Sequence, residues 1–254
     1  MTWKPIILAL VVALSLGLTV GASGDTVTYS GLPGMDVPMT VGNWGTTLHP
    51  VTVSIPKFDP LHPNPYIPGS APGTLLSISF SLTGDLGDQS YYEGENKSSS
   101  PDPVQMQLSE KLTLQRPDGS TIVVSIPLLT DSPTLGASDD PIVGGQVQTD
   151  WAGTDYYKYT GHSATQTVTA PPPALLAGDL ALFTGTGDIP LPVTARANSS
   201  WSGNAYDNSR KQTYADAKVA VTYEYYTPEP GSLALLGLGL PLAGVWFRRR
   251  RRQV

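Results

Sequence analysis

The sequence predicts an all-β fold, an antiparallel β-sandwich of about seven to eight strands with long loops. Apolar and polar residues alternate with period two in several segments, which is typical of strands with one buried face. No stretch of ten or more residues between the two ends of the chain has the 3.6-residue period of an amphipathic helix. Strands with one apolar face pack as two layers, and this favours a sandwich.

A hairpin is predicted near the middle of the chain. Residues 104–115 place apolar side chains on one face, with Glu110 as the exception. The segment Arg116–Ser120 predicts a tight turn, because Pro117 presets the first corner and Gly119 accepts a positive φ. The inward face of the return strand is then expected to consist of Ile122, Val124 and Ile126.

Further strands are predicted on both sides of this hairpin. Inward residues are expected at Leu76, Ile78, Phe80 and Leu82, and other strands at 51–55, near 180–183, at 189–197 and at 219–225. Pro190 and Pro192 cannot donate to a ladder, so 189–197 is predicted to be an edge strand. Thr165, Thr167 and Thr169 indicate a solvent-facing strand. Long loops are expected at 56–73, 84–103 and 127–162.

The charges are distributed unevenly. The chain has 15 Lys and Arg against 21 Asp and Glu, a formal net charge of −6, and no cysteine. Five arginines form one run near the C-terminus, whereas the stretch from Ala22 to Thr227 holds 20 acidic and 9 basic residues. An acidic body argues against binding to nucleic acid, whose phosphates require Lys and Arg clusters.

Residues 1–22 have the pattern of a secretory signal peptide. Lys4 precedes an apolar run from Ile6 to Val20, and small residues follow, with cleavage expected after Ala22. An uncleaved N-terminal anchor is the alternative. The sequence therefore predicts export of the region that follows.

The C-terminal segment 228–252 has three consecutive parts. The motif Pro228, Glu229 and Pro230 stays extended, because proline fits neither a helix interior nor a sheet ladder. Residues 231–247 are apolar, and as a helix they reach about 25 Å, within the range of a transmembrane helix. The arginine run that follows indicates a cytoplasmic end by the positive-inside rule.

This three-part order over residues 227–252 closely resembles the PEP-CTERM sorting signal, also called the ice-binding protein C-terminal motif. The resemblance implies recognition of Pro228, Glu229 and Pro230 by an exosortase, a membrane transpeptidase. It also implies transient anchoring in the inner membrane, followed by display at the cell surface or release. A plain anchor that is never processed is the alternative. Membrane retention is then the implied role of Arg248, Arg249, Arg250, Arg251 and Arg252.

The body, residues 23–227, resembles the choice-of-anchor E domain. The resemblance rests on Phe58-Asp59-Pro60, on residues 73–84, on residues 183–187 and on the closing strand 219–225. It implies an exported, anchored domain without established activity.

Candidates for catalysis and metal binding are weak. Ser163 follows Gly161-His162 but lacks the final Gly of a nucleophile elbow, and the three histidines, His49, His62 and His162, have no paired spacing for zinc. Asp131, Asp139 and Asp140 offer oxygen ligands for calcium, but without an Asp-x-Asp-x-Asp-Gly loop they are expected to be solvated. Glu93 with Glu95, or Asp139 with Asp140, are the carboxylate pairs that a hydrolase would use. We predict no catalytic residue, cofactor or metal.

Aromatic residues in polar loops are the best indication of a ligand. Trp151, Tyr156 and Tyr157 lie in one loop and Trp201 in another, where they are candidate glycan contacts. The alternative is that these rings cover the ends of the sandwich. The sequence thus predicts an exported, non-enzymatic envelope or extracellular protein with a structural or adhesive role in an exopolysaccharide or biofilm layer. A secreted carbohydrate-active hydrolase with acidic loop carboxylates is the alternative.

Overall fold

The computed structural model describes residues 24–31, 35–41, 50–170, 178–203 and 208–227. They form seventeen strands and one short helix, and every ladder between strands is antiparallel where its register is described, so the predicted all-β class is confirmed. Among these residues no helix has the length and apolar character needed to cross a bilayer, and the predicted signal peptide and transmembrane helix lie outside them. The strands are β1 Gly24–Ser30, β2 Asp36–Val41, β3 Val51–Pro56, β4 Thr74–Leu86, β5 Tyr91–Glu95, β6 Asp102–Pro103, β7 Gln105–Gln115, β8 Thr121–Ser125, β9 Leu128–Asp131, β10 Thr134–Leu135, β11 Ile142–Val143, β12 Gln146–Val147, β13 Tyr156–Thr160, β14 Ala164–Ala170, β15 Asp188–Ala197, β16 Ser200–Ser202 and β17 Asn208–Tyr226, and the helix is α1 Asp179–Leu182.

The chain divides into two compact units. The smaller comprises Met1–Val27, Pro60–Leu76 and Glu224–Val254, and the larger comprises Thr28–Asp59 and Ser77–Tyr223. In the smaller unit the proline-rich segment closes on itself, because the backbone N–H of Gly73 donates to the carbonyl of Pro60 at 2.8 Å. The hydroxyl of Thr227 donates to Asp25 Oδ2 at 2.8 Å within the same unit.

Two large sheets contain most of the strands, and β6 with β10 and β11 with β12 form two further two-stranded sheets. The first has the strand order β13-β5-β17-β4-β14, with β1 and β2 also paired with β17. The second has the order β16-β7-β15-β3, with β8 and β9 also paired with β7. The period-two pattern is strict in β17, where every second residue from Thr213 to Tyr225 is buried. In this strand the alternation in the sequence determines which side chains are turned inward.

The core lies between the two sheets. One buried cluster joins Leu86 and Tyr92 of the first sheet to Met106 and Leu108 of the second. A separate group of rings contains Phe80 and Phe183, whose centroids are 5.1 Å apart, and Phe58 and Tyr223, which are 5.9 Å apart. The Tyr223 hydroxyl donates to the carbonyl of Pro56 at 2.7 Å, so this ring satisfies its polar atom. The arrangement is a sandwich, with more strands than the predicted seven to eight.

The central hairpin is confirmed, but its return strand is shifted. The N–H of Arg116 donates to the carbonyl of Ser120 at 2.8 Å, and Gly119 has φ +86° as the turn requires. The register of β7 and β8 slips between Leu114 and Gln115. Because a bulge turns side chains to the opposite face, Val123 and Ser125 are buried, whereas Ile126 is 42% exposed. The predicted inward positions Val124 and Ile126 are therefore wrong.

The prediction of an edge strand at 189–197 is also wrong. This segment is β15, which pairs with β3 through residues 188–193 and with β7 through residues 193–197. Pro190 and Pro192 lie in the half that pairs only with β3. The missing proline N–H groups are tolerated there because the second neighbour begins only at Val193.

Three further expectations fail. Residues 179–182 form α1 instead of a strand, because Asp179 in its first turn is buried against Arg116. Leu76, expected inside, is 49% exposed at the start of β4. The predicted loops at 84–103 and 127–162 contain seven strands, among them β5 and β13. The expected solvent-facing strand of threonines is β14, and Thr165, Thr167 and Thr169 are exposed on it.

Candidate functional site at the ends of β5 and β13

The candidate site is built on β5 and on β13, its neighbour in the sheet. Their register places Tyr156 opposite Glu95 and Thr160 opposite Tyr91. Because strand side chains alternate between faces, Tyr157 and Tyr159 point toward the core cluster, and Tyr156 and Lys158 point to the opposite side. The predicted aromatic contacts are thereby divided into an inner and an outer group.

The inner group packs against the core. The ring of Trp201 stacks on Tyr92, with 5.2 Å between centroids and 9° between planes, and lies over Gly94. A Cβ at Gly94 would lie 2.2 Å from Trp201 Cη2, so only glycine leaves room for this ring. Tyr157 also packs against the core cluster. Both side chains therefore contribute to the packing of the core cluster.

Tyr157 has a specific polar partner. Its hydroxyl donates to Asp131 Oδ2 at 2.5 Å. This hydrogen bond, together with burial, raises the pKa of Tyr157 to about 12. Asp131 is thus engaged by a tyrosine instead of lying beside Asp139 and Asp140.

The outer group centres on Trp151. Its ring is approached by the guanidinium of Arg210 at 3.8 Å and by the ring of Tyr156 edge-to-face at 6.3 Å. Lys158 on the same side of β13 pairs with Glu93 at 3.2 Å. Aromatic and charged groups therefore share one surface, which we call the Trp151 surface: Trp151, Tyr156, Lys158, Glu93 and Arg210.

The backbone at Trp151 is unusual. Its φ is +56°, in the left-handed region that a bulky residue rarely adopts. The two carboxylate oxygens of Glu95 hold this turn, since Oε1 accepts from the N–H of Asp150 at 3.1 Å and Oε2 from the N–H of Trp151 at 3.0 Å. The surrounding contacts thus impose a conformation that the residue does not favour by itself.

Glu95 belongs to a group of carboxylates, which we call the acidic cluster: Glu95, Asp140 and Asp155. Each contributes an oxygen, and these oxygens lie within 4.8 Å of one another. Glu95 and Asp155 are fully buried. Burial, followed by the neighbouring Asp140 carboxyl, raises the pKa of Glu95 to about 7, and burial also raises the pKa of Asp155. The cluster thus brings three carboxyl groups together where burial disfavours their charged forms.

The members of each carboxylate pair predicted from the sequence have different partners in the structure. Glu93 pairs with Lys158, while Glu95 faces Asp140. Asp139 is exposed and accepts from the N–H of Thr154 at 3.3 Å. The signal that would have found the cluster is the register of β5 and β13: the end of one strand meets the start of the other, which brings Glu95 and Asp155 together.

The remaining candidates lie elsewhere. His162 stacks on Tyr159 with centroids 4.4 Å apart, and Ser163 beside it is exposed. His62 belongs to the smaller unit. Outside the described residues lie His49, Pro228, Glu229, Pro230 and the arginine run 248–252.

The comparison with protein families gives one match. Residues 227–252 match the PEP-CTERM protein-sorting motif. Such a motif indicates a protein that is exported, transiently anchored in the membrane and sorted by an exosortase to the cell surface. The predicted sorting signal is confirmed by this match, whereas the resemblance of the body to the choice-of-anchor E domain stays a prediction.

Other comparisons are less informative. No curated protein matches the chain. Among solved structures, the chain is similar to one of the infectious bursal disease virus Gx strain, at 11% identity and a TM-score of 0.23, covering 82% of this chain and 37% of that one. It is also similar to a structure of the T13 IBDV viral particle, at 11% identity and a TM-score of 0.23, covering 83% of this chain and 41% of that one. A third similar structure is the VP2 subviral particle of infectious bursal disease virus, at 12% identity and a TM-score of 0.19, covering 83% of this chain and 43% of that one. The chain spans about two fifths of those chains, and TM-scores this low do not establish a shared fold.

Proposed function

We propose that the protein is a non-enzymatic surface protein with a structural or adhesive role in a polysaccharide-rich layer outside the cell. The observation that carries the proposal is the PEP-CTERM motif at residues 227–252, which directs sorting. The body is strongly acidic, with 20 acidic and 9 basic residues between Ala22 and Thr227. Such a charge keeps an exported domain soluble and repels it from anionic surfaces.

The sorting step assigns roles to the C-terminal residues. Pro228, Glu229 and Pro230 are the recognition motif of the exosortase, and the run Arg248–Arg252 holds the chain in the membrane until it is cut. The inner membrane is therefore a transient location, and the cell surface or the extracellular matrix is the final one.

The test of sorting compares cell fractions by immunoblot and the mature C-terminus by mass spectrometry. We expect a wild-type C-terminus that ends near the motif. The Pro228→Ala/Glu229→Ala variant, or deletion of residues 248–252, should leave uncut protein in the membrane fraction or mislocalise it. Glu224→Gln, a nearby acidic residue outside the motif, serves as the control and should be sorted normally. An intact C-terminus on mature wild-type protein would favour a plain anchor instead.

For ligand binding we propose the Trp151 surface, which presents the predicted glycan contacts Trp151 and Tyr156. Arg210 and Lys158 beside these rings supply donors, and Glu93 supplies acceptors, for sugar hydroxyls. The other two predicted contacts, Tyr157 and Trp201, pack against the core cluster. We therefore restrict the proposed glycan contacts to Trp151 and Tyr156.

The glycan proposal is tested by retention of the protein on immobilised exopolysaccharide from the host. We expect Trp151→Ala to weaken retention at least fivefold, the effect of about 1 kcal/mol. Tyr66→Ala is the control, because Tyr66 is an aromatic residue that is 66% exposed and lies in the other unit. Equal retention of Trp151→Ala and wild type would exclude this surface.

The hydrolase alternative requires two carboxylates at a defined separation. Retaining glycosidases hold them about 5–5.5 Å apart, and inverting ones about 6.5–9.5 Å. In the acidic cluster Glu95 and Asp155 are fully buried, and both oxygens of Glu95 accept backbone hydrogen bonds, so neither carboxyl is open to a substrate. This packing supports the non-enzymatic proposal.

A further inference from the structure

We propose that Glu95, Asp140 and Asp155 bind a hard divalent cation, Ca²⁺ by preference. Their three oxygens lie within 4.8 Å of one another, so one ion placed between them reaches all three. Carboxylate oxygens are the main protein ligands of Ca²⁺. The proposal is independent of the glycan proposal, because it concerns buried groups and not the outer surface.

Unpartnered oxygens provide a second observation that points to a ligand. Asp155 is 0% exposed, and its Oδ1 is buried without a hydrogen-bond partner in the described part of the chain. Both oxygens of Asp140 are likewise buried and unpartnered. Native proteins satisfy nearly all buried polar atoms, and an unsatisfied carboxylate oxygen is especially costly. A cation bound to Asp140 and Asp155 would give such oxygens a partner.

The surrounding charges do not replace a cation. Lys158 pairs with Glu93 and Arg210 lies over Trp151, and the ion pairs found between described residues do not include the acidic cluster. Three carboxylates close together repel one another unless protons or a metal ion compensate them.

The donor set selects the kind of metal. The cluster offers oxygen only, and the chain has no cysteine, whereas zinc prefers nitrogen and sulfur ligands. Ca²⁺ accepts irregular geometry with six to eight oxygens, and backbone carbonyls and water supply those that side chains do not. Mg²⁺ demands a near-ideal octahedron and keeps more of its water.

The ion would have a structural effect. Asp140 precedes the β11–β12 hairpin, Asp155 precedes β13, and Glu95 ends β5. Since Glu95 also accepts from the N–H groups of Asp150 and Trp151, one ion would tie the whole segment 140–155 to the sheet.

The first experiment measures binding of Ca²⁺ to the full chain in detergent after removal of metals by chelation. We expect one site by isothermal titration calorimetry, with a Kd of about 10⁻⁴–10⁻³ M, as in extracellular modules. Asp155→Asn should weaken binding at least tenfold. Asp88→Asn is the matched control, because it makes the same change at an exposed residue outside the cluster. No binding to wild type, or equal losses in the two variants, would overturn the proposal.

The second experiment separates a cation site from a merely structural cluster. Asp140→Asn removes one repelling charge, so in EGTA it should melt at a higher temperature than wild type. In saturating Ca²⁺ the order should reverse, because the variant lacks a ligand. The same order in both conditions would contradict the proposal.

If Asp155→Asn does not fold by circular dichroism, the calorimetric measurement is made on Asp140→Asn instead, with the same expected loss of Ca²⁺ binding. Tighter binding of Mg²⁺ than of Ca²⁺ would overturn the choice of metal.

Discussion

At the turn between β7 and β8, the carboxylate of Asp179 faces the guanidinium of Arg116, whereas at the end of β5 the carboxylate of Glu95 faces two other carboxylates. Arg116 Nε donates to Asp179 Oδ1 and Nη2 to Oδ2, both at 2.8 Å, and both residues are buried. Arg116 Nη1 also donates to the carbonyl of Thr121 at 3.0 Å. The charges of Arg116 and Asp179 therefore neutralise each other, and both oxygens of Asp179 accept a hydrogen bond.

The contrast shows what burial of a carboxylate requires. Asp179 is held in the ionised form by a bidentate partner, so its charge is compensated within the fold. Glu95, Asp140 and Asp155 have no such partner, and protons or a bound ion must compensate them. Glu110 is a third case, because it is fully buried on β7 and neither carboxyl oxygen has a hydrogen-bond partner in the described structure. Each case predicts a different response to mutation and to pH.

The largest effect is expected at the paired carboxylate. Asp179→Ala leaves the Arg116 guanidinium buried without its partner, and we expect a loss of about 3–5 kcal/mol in the free energy of unfolding. Urea denaturation monitored by tryptophan fluorescence measures this loss as a lower midpoint with an unchanged slope.

Two variants serve as controls for this prediction. Asp118→Ala removes an exposed carboxylate from the same turn, and because water screens such a group it should lower the free energy of unfolding far less than Asp179→Ala does. The double variant Arg116→Met/Asp179→Leu removes both charges and should recover much of the loss. A cost for Asp179→Ala no larger than that for Asp118→Ala would show that the buried pair is not what stabilises this turn.

The next largest effect is expected at Glu110. Burial, together with the charge of Asp216, raises the pKa of Glu110 from its usual 4.5 to about 8. The folded state thus binds this proton more tightly than the unfolded state, so the stabilisation is complete below pH 4.5 and is lost as the pH rises toward 8. Within that window the loss reaches roughly 1.4 kcal/mol per pH unit. Glu110→Gln stays neutral and should remove this decline, so that the variant is the more stable protein at pH 8.

Urea unfolding of wild type and Glu110→Gln at several pH values between 4 and 9 measures the difference. The acidic cluster is the same in both proteins, so its own titration cancels in the comparison. Glu93→Gln, which alters a carboxylate paired with Lys158, should keep the pH dependence of the wild type. Parallel curves for wild type and Glu110→Gln would contradict the proposed state of Glu110.

The sequence predicted these regions to different extents. Alternation identified the strands around Glu110 and marked this residue as the exception on an apolar face, because period two is visible in a single chain. It did not reveal α1, since four residues are too few to show a helical period and the stabilising contact to Arg116 comes from 63 residues away. The acidic cluster was missed for the same reason: Glu95 and Asp155 meet through strand pairing, and the short strand β5 lies in a segment that composition favoured as a loop.

The smallest effect is expected where a carboxylate is held by a neutral donor. Tyr157→Phe removes the hydrogen bond to Asp131 but leaves the ring in the core cluster, so we expect a loss of about 1 kcal/mol in the free energy of unfolding. Tyr159→Phe is the matched control, because Tyr159 packs against the same core cluster while the hydrogen bond to Asp131 Oδ2 comes from Tyr157, and it should be nearly neutral. Absorbance titration adds a second readout: the pKa of Tyr157 is about 12, so one tyrosine ionising near that pH should disappear from the wild-type curve in Tyr157→Phe. Equal costs for the two variants would mean that the ring, and not the bond to Asp131, determines the contribution of Tyr157. The hydrogen bond from the neutral Tyr157 hydroxyl would then contribute no more to stability than water does at a solvated carboxylate. Asp131 would not rank between Asp179, which has a charged partner, and the acidic cluster, which has none among the described residues.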